Sequence, residues 1–131
     1  MAYRWVDHTA ELELHVEAVT DEGVFEDALR ALAELVGEGH RRDHVDYDVS
    51  LVAADRATLL AGWLDELVFR AEVEGLVPEA VERLELGDDR LAATIRGHRG
   101  EPRHLVKGVT YHRLAFDRDG DRVHACVVLD V

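Results

Sequence analysis

The sequence predicts an α+β fold in which two helices pack on a largely antiparallel sheet. Three observations carry this prediction. Apolar residues alternate with polar ones early and late in the chain, they recur at helical spacing in only two stretches, and the later strands follow one another through short turns. Elements segregated in this way favour helices laid on an antiparallel sheet over repeated strand–helix units. At 131 residues and 47% hydrophobic content, the chain reads as one domain over 1–131, long enough to bury about two-thirds of its unfolded surface.

Leu12, Leu14, Val16 and Ala18 alternate with Glu13, His15 and Glu17, the period of a strand with one buried and one wet face. Thr20 and Asp21 offer capping oxygens to a helix carrying Phe25, Ala28, Leu29, Leu32, Leu35 and Val36, which Gly37 and Gly39 end. Residues 38–44 form a polar loop, and Val45, Tyr47, Val49, Leu51 and Ala53 make a second strand. Asp55 caps a second helix whose stripe is Leu59, Leu60, Trp63, Leu64, Leu67 and Val68, with Gly75 as its stop. Residues 81–86 and 91–96 then flank Gly87-Asp88-Asp89-Arg90 as a hairpin. Residues 109–116 and 123–131 flank a turn over 117–121 as another. Residues 99–106 read as a loop.

Composition excludes several function classes. Cys126 is the single cysteine, so no internal disulfide can form, which fits a reducing compartment; it reads as a small buried hydrophobe in the last strand. No Cys-His zinc site is expected with one cysteine. No apolar run approaches the ~20 residues that span a bilayer, and residues 1–7 lack the features of an export signal, so a cytoplasmic location is expected. A net charge of −13 opposes autonomous binding to nucleic acid. Arg96, Arg99, Arg103, Lys107 and Arg113 nevertheless share a stretch in which Glu101 is the one acid, either a phosphate- or acid-facing patch or a solvated loop. There is no phosphate loop, no HExxH and no G-x-S-x-G; Ser50, the lone serine, lies on the wet face of a strand.

Three clusters could carry chemistry. Asp130 sits in an apolar terminal strand, where an unpaired carboxylate is costly to bury, and the main-chain oxygens of Val131 follow it. That pairing suits Ca²⁺, Mg²⁺ or Mn²⁺, or else Asp130 is a hydrated chain end. Asp7-His8-Thr9-Ala10-Glu11 places two acids four apart, on one face if extended but not if Thr9 and Ala10 turn; a salt bridge or cap is the competing use. Lys107-Gly108-Val109-Thr110-Tyr111-His112 holds the single lysine among fifteen basic residues. A compact ammonium fits tight anionic sites that a guanidinium does not, although chance also accounts for a solitary lysine.

Together these clusters resemble the archease family. Asp7-His8-Thr9-Ala10-Glu11 is similar to its D/E-H-T-A-D motif, Lys107 to His112 to its K-A-x-T-Y-H block, and Leu129-Asp130-Val131 to its terminal L-D-V. Leu60-Ala61-Gly62-Trp63-Leu64-Asp65-Glu66-Leu67 resembles its L-x-x-W-L-N-E-L, and the likeness runs in order from Tyr3 to Val131. Glu11 replaces the usual Asp, and Gly108 the usual Ala, which is expected to loosen the backbone there.

The resemblance implies a non-enzymatic accessory protein that activates a GTP-dependent RNA-splicing ligase, promoting its guanylylation and multiple turnover in tRNA splicing or RNA repair. It implies a divalent metal (Ca²⁺, Mn²⁺ or Mg²⁺) held by Glu11, Asp130 and the backbone of Val131, with Lys107 in activation and Asp7, His8 and His112 supporting. The ligase is the implied partner; no membrane contact is expected, and the oligomeric state stays open. Two alternatives compete: a small-ligand or chaperone-like module with structural acids, and a stand-alone metal-dependent phosphohydrolase. The activator reading requires that strand pairing bring Glu11 beside Asp130.

Overall fold

The computed structural model describes residues 2–8, 10–37, 43–102 and 106–131. Thr9, Gly39 and Arg103 lie outside the described residues, as does the side chain of His8. In chain order the elements are β1 (Ala2–His8), β2 (Glu11–Ala18), α1 (Asp21–Val36), β3 (His44–Val52), α2 (Arg56–Glu74), β4 (Leu76–Leu86), β5 (Arg90–Arg99), β6 (Gly108–Asp119) and β7 (Arg122–Asp130).

The α+β class is as expected, but the strands divide between two sheets. One runs β1-β2-β7-β6 and the other β3-β5-β4, and every pairing is antiparallel. Both hairpins form: Leu86 pairs with Leu91, and Asp119 with Arg122 across a tighter turn than the charged residues suggest. β1 is an additional strand, and β4 begins at Leu76, ahead of Val81.

The helices follow their caps. Thr20 Oγ1 accepts the Gly23 N–H at 3.0 Å, and Asp55 Oδ1 accepts the Thr58 N–H at 2.8 Å, each filling a donor that a helix start leaves open. Gly75, at φ 68°, ends α2 in the left-handed conformation that a side chain would disfavour. The helices link the sheets: α1 packs on β2 and β4, and α2 on β6, β4 and β3. Trp63, fully buried, donates its indole N–H to the Phe25 carbonyl at 3.0 Å. The Phe25 ring packs at a tilt against those of Trp63 and Phe116, tying both helices to β6 at one point in the core. Among the described residues no helix is long and apolar enough to cross a membrane.

Candidate metal and partner site

The four-stranded sheet has an inner face on the core and an outer face carrying titratable groups. Leu14 and Val16 of β2 and Val123, Ala125, Val127 and Leu129 of β7 are buried inside. Side chains alternate along a strand, and paired residues share a face. The outer face therefore holds Glu11, Glu13, His15 and Glu17 of β2 opposite Asp130, Val128, Cys126 and His124 of β7.

Glu11 and Asp130 are direct partners in this ladder, although 119 positions separate them in sequence. The corner is braced through the main chain. The Val131 N–H donates to the Ala10 carbonyl at 3.1 Å, and the Lys107 N–H donates to the Asp130 carbonyl at 2.8 Å. Gly108, next to Lys107, pairs with Asp130 from the other side. Asp130 and Lys107 are exposed, so Asp130 does not suffer the burial that its apolar neighbours suggested. Gly108 does not take a left-handed conformation, and a Cβ added there would meet nothing within 4 Å.

The first motif turns rather than extends. Ala10 has φ 62°, and β1 folds back on β2 with His8 opposite Glu11 and Asp7 opposite Leu12. Asp7 is thus one step out of phase with Glu11 and falls on the other face of the sheet. His112 is exposed, and its N–H donates to Thr110 Oγ1 at 3.2 Å.

The sequence did not point to Arg113. Thr110 pairs with Val128 and Ala115 with Cys126, so residues 111–114 oppose Val127 alone. In this bulge Arg113 takes φ 60° and sends its guanidinium across β7 to β2. Nη2 lies 3.3 Å from Glu11 Oε1 and Nε 2.6 Å from Glu13 Oε1. Val128 of β7, which pairs with Glu13, is fully buried although it belongs to the outer face. The one sequence signal was a cation in a stretch nearly free of acids. That stretch is not a single patch: Arg96 lies on β5 and pairs with Glu82.

Glu13 also receives His15 Nε2 at 2.7 Å. The His15 hydrogen bond and then Arg113 hold its carboxyl below the usual carboxylate range, against the opposing effect of burial. Cys126 sits opposite His15, half-buried on the outer face rather than in the core, because its neighbours Ala125 and Val127 take the inward positions. Burial, then the negative charge of Glu13, raises its thiol pKa.

Comparison with known proteins agrees with the motifs. The model of the Archease protein family (MTH1598/TM1083) matches residues 3–131. The chain is 31% identical to the archease of Methanopyrus kandleri over 100% of both chains. It is 28% identical to that of Methanosarcina barkeri over 98% of this chain and 95% of the relative. Among solved structures it is similar to a Thermotoga maritima protein described as an archease and possible chaperone, with TM-score 0.73, 23% identity, and coverage of 96% of this chain and 94% of the other. It is also similar to a Methanobacterium thermoautotrophicum protein, with TM-score 0.69, 25% identity and 98% of both chains covered. With the motifs in order and the match running almost end to end, the chain belongs to the archease family.

Proposed function

We propose that this archease is a non-catalytic accessory protein that binds a hard divalent cation and activates an RNA-splicing ligase, promoting its guanylylation and turnover in tRNA splicing or RNA repair. Family membership supports the accessory role. The cation reading is carried by one observation, the pairing of Glu11 with Asp130 on one face of the sheet.

Two carboxylates beside the main-chain oxygen of Val131 form an all-oxygen donor set, which fits Ca²⁺, Mn²⁺ or Mg²⁺ better than a thiophilic ion. Glu11, Asp130 and the backbone of Val131 would hold the cation. Hydrogen bonds from Val131 to Ala10 and from Lys107 to Asp130 position that backbone in advance, so little ordering remains to be done on binding. When bound, the cation supplies positive charge of the kind that phosphoryl transfer requires.

The other roles fall to the protein. Lys107 is exposed beside the same corner and presents a compact ammonium to an anionic group of the ligase or its nucleotide. We assign supporting roles to His8, opposite Glu11 in the backbone ladder, and to His112, in the bulge. In a guanylylation assay with the cognate ligase, Asp130→Ala and Lys107→Ala are each expected to lower stimulation at least tenfold. Stimulation equal to wild type by either variant overturns the proposal.

A further inference from the structure

On the outer face, two to four ladder positions from the Glu11–Asp130 corner, a second set of donors converges. One carboxylate oxygen of Glu13, one ring nitrogen of His15 and Cys126 Sγ all lie within 4.8 Å of one another. His15 and Cys126 are direct cross-strand partners, and Glu13 stands two residues along β2 on the same face. A single cysteine excludes a Cys-His site only where the ligands must come from one short stretch of chain. Here β-pairing supplies them from opposite ends of it.

A second observation concerns the imidazole. His15 Nε2 is engaged by Glu13 at 2.7 Å, while Nδ1 is buried with no hydrogen-bond partner among the described residues. Burying such an atom unpaired is costly, and a cation on the ring removes the need for a hydrogen bond there. The two ring nitrogens point in nearly opposite directions, so a cation on Nδ1 takes Glu13 as a ligand only as that carboxylate leaves Nε2. The His124 ring lies 6.0 Å from that of His15, centroid to centroid, so a further imidazole borders the cluster.

We infer that Glu13, His15 and Cys126 form a second metal site, selective for a thiophilic divalent cation such as Zn²⁺ and distinct from the all-oxygen corner at Glu11 and Asp130. Thiolate and imidazole ligands suit Zn²⁺ and its spectroscopic substitute Co²⁺, whereas Ca²⁺ and Mg²⁺ favour oxygen donors. Binding releases the Cys126 thiol proton to solvent, and no bond is otherwise made or broken. Thiolate, carboxylate and neutral imidazole then balance the two positive charges. Arg113 yields its contact with Glu13 and keeps the one with Glu11.

Cobalt titration of the reduced, full-length chain tests this inference. With the all-oxygen corner held by excess Ca²⁺, one Co²⁺ per chain should bind and produce a near-ultraviolet thiolate-to-cobalt charge-transfer band, which Zn²⁺ then removes. Cys126→Ser should abolish the band, and His15→Ala should weaken binding at least tenfold. The inference is overturned if the wild-type chain gives no band under saturating cobalt, if His15→Ala binds as tightly as wild type, or if one cobalt is shared by two chains.

Discussion

Arg113 occupies the position of a built-in counter-ion. Its guanidinium spans Glu11 and Glu13, and one of these is the carboxylate assigned to the cation. Ion pair and cation therefore compete for Glu11. A part-exposed pair is worth about 0–1 kcal/mol, so Arg113→Gln is expected to tighten Ca²⁺ or Mn²⁺ binding up to about fivefold, as read by calorimetry. Weaker binding would mean that Arg113 does not compete with a cation for Glu11. At Gly108 the open space that a methyl group would enter predicts that Gly108→Ala stabilises the fold by about 0.4–1 kcal/mol, through the entropy of the unfolded chain. Chemical denaturation measures this, and a loss of stability would reveal a steric demand on the glycine. Asp130 is conspicuous in the sequence as a charge among apolar residues, whereas Arg113 is one arginine among many. Its importance arises from three surplus residues in a strand, which no short-range pattern encodes.

The elements that sequence periodicity captures best are those whose ends are chemically marked. Thr20 and Asp55 name the starts of α1 and α2, and both do cap them. The Thr58 N–H bond holds the Asp55 carboxyl below its ordinary value of 3.8. A lowered folded pKa means that its contribution is complete above the unfolded value and is lost as pH falls through the folded one. Asp55→Asn keeps an acceptor but does not titrate, so its melting temperature should fall less steeply than that of wild type below about pH 4. Parallel slopes would show that the cap is not coupled to stability. Most strands and the two hairpins are legible, but the pairings between distant segments are not. The start of β4 is hidden because Gly75 and Pro78 resemble breakers, yet Pro78 lies at a register shift that tolerates it. β1 is hidden because Trp5 and Val6 interrupt its alternation. The division into two sheets is a pairing choice between distant segments, and alternation is silent about it. Glu11 facing Asp130 is legible only through the family motifs.

At the scale of the whole molecule, a net charge of −13 sets acids against one another, and the outer face of the four-stranded sheet concentrates several of them. A cation taken only by the folded state stabilises it by mass action, about 2.7 kcal/mol at a hundredfold excess over Kd. Thermal melting with Ca²⁺, Mn²⁺ or Mg²⁺ should therefore raise Tm in the wild type and much less in Asp130→Ala. Equal shifts in the two would assign the effect to general screening of charge. The bulge in β6 has one more consequence, which concerns association between copies. β6 is an outer strand of its sheet, and such a strand offers a row of unused amide and carbonyl groups to any neighbouring chain. Looping out residues 111–114 breaks that row midway and stations a guanidinium beside the gap. Removing the three surplus residues would straighten the rim, and the shortened protein should then self-associate by zipping strand to strand.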